Sequence, residues 1–338
     1  MQPVFPTLSA TPLQAAQQAM LGSLENKTFF KLIGGGSLTE SSLLAEAAKA
    51  YALAGADCID ITPEPQVLAA VSRTLALLPA GQQPVVMVSI PLDADPHFRK
   101  IDLDESACIA CALCVPVCPT DAFALGEALE ITQSLCYGCG RCVPVCPTEA
   151  LSLHPFHVTV HLQAALTHPA VGAIEIHSRY ADPYMLASFF ERWGMALQDK
   201  LIALCFRPQL LAVEQSLAFI EAAAQFSPFP LILQVDGEPM SGTADREASL
   251  PALQAAADFF PSVAARFNRV FATVSGGINA YTADYLQQAD YCFIAGVGMG
   301  TIARQAVWQL PPEEALLKAG SMIQRYKRRG KPLQRLRP

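Results

Sequence analysis

Apolar positions along the chain recur with two periods. Short runs rich in Val and Ile, apolar on both faces, alternate with longer stretches in which Ala and Leu return every three or four residues. KTFFKLIGGGS predicts a first strand that ends in a glycine turn at Gly34, Gly35 and Gly36. SLTESSLLAEAAKAYALAG predicts the helix after it, with Ser37 or Thr39 placed to cap it. Further strands are expected over 56–63, 83–92, 171–179, 200–208, 229–237, 268–279 and 290–300, each followed by a helical stretch except where an insert interrupts. VTVHLQAALTH predicts the short helix at which the alternation resumes. The first residues, before the first strand, read as a polar start.

Strands that are apolar on both faces belong in a parallel sheet covered by helices. Eight such βα units predict a TIM-like (β/α)8 barrel. The alternative is an open, doubly wound α/β sheet, which would leave edge strands to protect. The expected division is 1–98 for the first three barrel strands, 99–156 for an inserted ferredoxin-like domain, 157–324 for the remaining five strands and 325–338 for a basic tail. Loops that follow barrel strands lie on the C-terminal face, so the insert is expected beside or over the barrel mouth.

Of the 338 residues, 52% are apolar and 16% charged, which supports a sizeable core and excludes wholesale disorder. A formal net charge of −7 disfavours a general nucleic-acid binder. The N-terminus lacks the basic cluster and apolar core of a signal peptide. The longest apolar runs fall short of the roughly 20 residues of a spanning helix. A soluble protein of a reducing compartment is expected, with peripheral membrane attachment left open.

Eight of the 11 cysteines lie between Cys108 and Cys146. Cys108, Cys111, Cys114 and Cys118 follow C-x2-C-x2-C-x3-C-P, and Cys136, Cys139, Cys142 and Cys146 repeat it. That is the bacterial two-cluster ferredoxin pattern, in which the fourth cysteine of each run ligates the other cluster. The expected metal sites are therefore Cys108, Cys111, Cys114 and Cys146 for one [4Fe–4S] cluster and Cys136, Cys139, Cys142 and Cys118 for the other. Zinc is the alternative, but it usually takes two separated pairs instead of two triplets. Gly138 and Gly140 can let backbone N–H groups approach cluster sulfurs. Asp121 and Glu149 can cap short helices behind each Cys-Pro, and Arg141 reads as a solvated side chain or a tuner of cluster potential. Cys58, Cys205 and Cys292 lie in predicted strands as small apolar side chains.

At the predicted mouth, Ser275, Gly276 and Gly277 end the seventh strand, and Gly296, Gly298 and Gly300 end the eighth, followed by Thr301. Such glycines can let backbone N–H groups converge on a phosphate, as in FMN and sugar-phosphate barrels, or can serve only as tight turns. Asp60, Glu175 and Asp236 can meet across the mouth to hold a cation or move protons, or can cap helices and pair with Arg179 and Arg207. Asp57, His177, Arg179 and Arg207 are expected on the same rim. Lys31 reads as starting the first strand at the far end, which leaves FMN without its usual basic neighbour. FMN is therefore a cofactor the pattern permits but does not favour. No catalytic residue is assigned. The last 14 residues hold seven basic side chains and no acid, suited to an acidic partner, RNA or anionic lipid, or to a frayed end.

FFKLIGGGS, YALAGADCIDITPEPQVLAAV, the eight-cysteine segment, VGAIEIHSR and FATVSGGIN, in this order, resemble the cyanobacterial light-dependent period family of LdpA-like iron–sulfur proteins. The likeness covers roughly residues 25–325, and all eight cysteines are present. Gly34–Gly36 is all glycine, so the resemblance adds no further ligand there. It implies a redox-sensing regulator that couples cellular or photosynthetic redox state to the circadian clock, with clock components or redox proteins as partners and the quinone or ferredoxin pool as the sensed couple. It also implies a cytoplasmic site, with peripheral attachment at the thylakoid membrane left open. The competing reading is a ferredoxin-linked oxidoreductase acting on a flavin or a phosphorylated substrate at the barrel mouth.

Overall fold

A computed structural model describes residues 11–238 and 242–328. Strands β1 (Phe29–Ile33), β2 (Cys58–Ile61) and β3 (Val85–Pro91) precede the insert. The insert contributes β4 (Arg99–Leu103), β5 (Phe123–Leu125), β6 (Leu129–Ile131) and β7 (Leu151–Pro155). The chain then returns to β8 (Val171–His177), β9 (Leu201–Phe206), β10 (Leu231–Asp236), β11 (Val270–Ser275) and β12 (Gly296–Met299).

The eight non-insert strands close in the order β1-β12-β11-β10-β9-β8-β3-β2. Lys31 of β1 is opposite Cys58 on one side and Gly298 on the other, so the sheet has no edge and the open-sheet alternative is set aside. Every residue of β8 and β9 is buried, which is why these runs read as apolar on both faces.

The bottom of the barrel is closed by helix α1 (Pro12–Glu25), where the sequence reads only as a polar start. Thr11 and Gln14 form a capping box at its N-terminus. Met20 and Leu24 pack on Phe29, Cys58, Val85 and Met87. The Gln17 amide donates to the carbonyls of Gly172 (2.8 Å) and Asp199 (2.7 Å), tying the plug to two strand ends. A second correction concerns the eighth strand, expected over 290–300. It spans only Gly296–Met299, because Ala289–Tyr291 forms a 3-10 turn, and Cys292 beside that turn is exposed instead of lying in a strand.

The insert leaves β3 through residues 92–98 and is closed by the Phe156 N–H donating to the Phe98 carbonyl (2.8 Å). It is built on two antiparallel ribbons, β4–β7 and β5–β6. Of the basic tail, Arg325 and Lys327 belong to the last helix, Pro312–Lys327, where the Lys327 ammonium meets Asp57 at 2.5 Å. The remainder of the tail, 329–338, lies outside the described residues, and with it most of the docking expectation. Among the described residues no helix is long and apolar enough to cross a membrane.

Candidate functional site

The eight clustered cysteines divide between two small cavities. Cys108, Cys111, Cys114 and Cys146 line one with Leu103, Leu129 and Leu151. Cys118, Cys136, Cys139 and Cys142 line the other with Ile101, Phe123 and Leu153. In each cavity three cysteines come from one tight loop and the fourth from the other repeat. None of the eight is in a disulfide.

The loops owe their curl to backbone handedness. Ala110 (φ 52°), Ala112 (φ 60°) and Asp121 (φ 52°) are left-handed, and so are their counterparts Gly138 (φ 71°), Gly140 (φ 76°) and Glu149 (φ 56°). Turns, not helices, follow each Cys-Pro, so Asp121 and Glu149 reverse the chain and cap nothing. Gly138 is also required by packing. A Cβ there would collide with the Arg99 carbonyl of the insert's own ribbon. Cys118 Sγ accepts from the Ala122 N–H (3.3 Å) and lies 3.5 Å from the Thr120 hydroxyl, and Cys146 Sγ lies 3.7 Å from the Thr148 hydroxyl. Burial, and then the thiols of Cys139 and Cys136, push the Cys142 thiol up to about 12. Four soft sulfur donors around an apolar cavity, with N–H and O–H groups aimed at sulfur, suit an iron–sulfur cubane.

The two halves of the insert differ in what they face. Ile109 and Leu113 are 62% and 51% exposed, and Cys111 is exposed. Their counterparts are turned to the barrel. Tyr137 is buried, and its hydroxyl lies 3.0 Å from the Thr301 hydroxyl and hydrogen-bonds the Cys139 thiol. Arg141 donates to the Gly242 carbonyl at 2.8 Å, so it is a docking residue and not a solvated side chain. Gln305 donates to the Pro119 carbonyl (2.8 Å), and Ser134 to Glu40 (2.8 Å). The second half of the insert thus makes most of these contacts with the barrel, and the first half adds the one at Pro119.

Beneath it lies a cavity of about 60 Å3 at the C-terminal ends of the strands. Lys31 sits mid-strand with its ammonium inside the barrel, correcting its expected place at the far end. It is ion-paired with Glu175, and Asp60 is 3.8 Å away. Glu175 accepts from the Gln234 amide (2.9 Å) and lies 3.0 Å from His177 Nε2. His177 Nδ1 faces Asp95 (3.8 Å), Asp95 holds His97 Nδ1 (2.7 Å), and His97 Nε2 faces Asp236 (3.6 Å). Carboxylates and bases therefore alternate across the mouth. Burial lowers His97, but Asp95 and Asp236 outweigh it and push it up to about 9. Burial also opposes the charge on Glu175, yet Lys31 holds its carboxyl well below the usual range.

Other rim residues separate. Asp60 and Glu175 meet at Lys31, whereas Asp236 joins them only through the histidines. Arg207 pairs with Glu238 (2.5 Å), and Asp93 accepts from the Arg179 N–H (2.8 Å). Asp57 is at the opposite end of the barrel with Lys327. Ser275, Gly276, Gly277 and Gly298 line the cavity, but Gly296 does not. Gly296 begins β12 beside Phe29, near the plugged end. Gly276 and Gly277 are left-handed (φ 81° and 67°) and pack too closely on the backbone of Gly237 and Ala248 to admit a Cβ.

Two family models match the chain: the LdpA Fe-S cluster-binding domain over 107–155 and the Light dependent period A C-terminal domain over 165–325. Light dependent period A of Synechococcus elongatus is 30% identical over 305 residues, covering 86% of this chain and 84% of that protein. The chain belongs to the light dependent period A family. Among solved structures, the tryptophan synthase of Mycobacterium tuberculosis is 13% identical with a TM-score of 0.49, covering 94% of this chain and 99% of that chain. The (S)-3-O-geranylgeranylglyceryl phosphate synthase of Thermoplasma acidophilum is 14% identical with a TM-score of 0.41, covering 94% and 99%. Likenesses this distant say nothing about the site.

For this member of the light dependent period A family, the eight candidate ligand cysteines are legible from spacing alone, but the residues joining their loops to the barrel are not. Tyr137, Arg304, His97 and Gln234 carry no motif. One signal was present. In the internal repeat Tyr137 and Arg141 stand where the first half has Ile109 and Leu113, so the second half presents a different surface.

Proposed function

We propose that this member of the light dependent period A family is an iron–sulfur redox sensor that passes cellular or photosynthetic redox state to the circadian clock. It holds two [4Fe–4S] clusters. Cys108, Cys111, Cys114 and Cys146 bind one, and Cys136, Cys139, Cys142 and Cys118 bind the other. The observation that supports this reading is the division of the cysteines into two four-sulfur cavities that exchange their fourth members. The first cluster, at the exposed end beside Ile109 and Leu113, exchanges electrons with a redox protein or with the quinone or ferredoxin pool. Clock components read the result. The protein works in the cytoplasm, and fractionation of thylakoid membranes tests peripheral attachment there.

Anaerobic isolation tests the cofactor. Iron at about 8 per chain, with broad absorbance near ~400 nm and reducible paramagnetic signals, is expected for two cubanes. A colourless protein carrying zinc would overturn it. A second reading, in which the clusters feed electrons to a substrate in the barrel mouth, draws on Tyr137, which touches both regions. Flavin bands in the isolated protein would favour it. A flavin ring would not fit inside the enclosed cavity, since 60 Å3 is far below the roughly 300 Å3 of an ordinary small-molecule pocket.

A further inference from the structure

Three residues that line the enclosed cavity at the barrel mouth each carry a buried polar atom without a hydrogen-bond partner: Arg304 (Nε), Gln234 (Oε1) and His177 (Nδ1). Native interiors seldom leave such groups unpaired, and three of them on residues around one space mark a place where a ligand can complete them. We infer that this cavity is a binding site for a small oxyanion bearing a hydroxyl group, and that its occupancy is felt at the second cluster through Arg304 and Tyr137. The binding site stands on the barrel alone. The coupling rests on the iron–sulfur reading.

Arg304 supplies the charge. It is 2% exposed, its Nη1 donates to the Ile33 carbonyl (2.7 Å), and among the described residues no carboxylate is in ion-pair contact with it. A buried guanidinium in that condition is matched by a planar or tetrahedral oxyanion. Gly35 and Gly300 border the same wall, and a side chain at Gly300 would crowd its Nη1. The opposite wall selects for a different group. Gln234 spends its N–H on Glu175, leaving an acceptor that needs a donor. Glu175 and Asp236 on that wall repel a second anion and welcome a hydroxyl. The small enclosed volume favours a short hydroxycarboxylate, and a phosphate ester of a small alcohol fits only with its far end extending out through the mouth.

The link to the cluster is short. The Arg304 guanidinium carbon is 4.7 Å from the centre of the Tyr137 ring, and Tyr137 follows Cys136 and hydrogen-bonds Cys139. An anion on Arg304 adds negative charge beside the second cluster and so disfavours its reduction. By reciprocity the oxidised protein binds the anion more tightly than the reduced protein. A tenfold difference in affinity corresponds to about 59 mV in a one-electron couple.

Calorimetry on the full-length, iron-loaded protein tests both halves, with glycolate, inorganic phosphate and glycerol phosphate as probes. The expected result is binding of glycolate or glycerol phosphate, weakened at least tenfold by Arg304→Gln, with cluster absorbance retained. Gln234→Met, which keeps the volume, should reduce preference for glycerol phosphate over inorganic phosphate. Whether glycolate or glycerol phosphate binds more tightly separates a carboxylate ligand from a phosphate ester. Failure of all three probes to bind folded protein overturns the site, as does binding indifferent to both substitutions. Binding with equal affinity to oxidised and reduced protein overturns the coupling and leaves the site. Absence of iron would instead sink the cofactor reading, while calorimetry still reports on the cavity.

Discussion

The Arg304 guanidinium rests on the face of Tyr137, 4.7 Å from ring centre to Cζ. One residue belongs to the last βα turn of the barrel and the other to a cysteine loop of the insert. Their contact, with the 3.0 Å approach of the Tyr137 and Thr301 hydroxyls, is where the two parts of the molecule share a buried surface. Its consequences can be measured.

Removing the Tyr137 hydroxyl deletes its links to Thr301 and Cys139 and keeps the ring. Tyr137→Phe should cost about 1 kcal/mol of stability per lost hydrogen bond. It should also lower the potential of the second cluster, because a hydrogen bond to sulfur stabilises the more negative, reduced state. Redox titration followed by electron paramagnetic resonance checks this. An unchanged potential would show that the hydroxyl does not act on the cluster.

Iron is expected to be structural for the insert alone. The insert's core consists largely of the cysteines with Ile101, Phe123, Leu129 and Leu151, whereas the barrel has separate and larger apolar clusters. Anaerobic chelation should therefore unfold the insert and leave the barrel's helices. Limited proteolysis combined with far-ultraviolet circular dichroism distinguishes this from global unfolding.

Lys31 neutralises Glu175 and Asp60 where none of the three is solvated. Lys31→Met should cost about 3–5 kcal/mol, since it strands buried carboxylates. Lys31→Met combined with Glu175→Gln should recover much of that loss. Denaturant unfolding of the two variants gives the comparison.

His97 ties the segment leading into the insert to the barrel mouth. Its folded pKa, raised from 6.5 to about 9, gives stability that is fully present below about pH 6.5 and is lost as pH rises through about 9. The groups facing it are Asp95, Asp236, Glu175 and His177. Melting temperature should fall across that window in the parent protein, and His97→Gln should flatten the fall. An identical slope in both would assign the pH dependence to other groups.

The sequence by itself determined the cysteine framework and the alternation of strands and helices. Both are written in local spacing: a ligand run needs fixed intervals, and a strand covered on both faces needs an unbroken apolar run. It left α1 unread because that helix's apolar face has meaning only against the barrel floor. Lys31 was misplaced for a related reason. A lysine in a strand reads as a surface residue until the carboxylates that neutralise it, Asp60 and Glu175, arrive from distant strands. Tertiary structure alone decided that the Tyr137 and Arg141 side of the insert docks on the barrel, and that Arg304, Gln234 and His177 line one cavity. Closure of the barrel sets those distances, and no local pattern encodes which strand ends will face each other across its mouth.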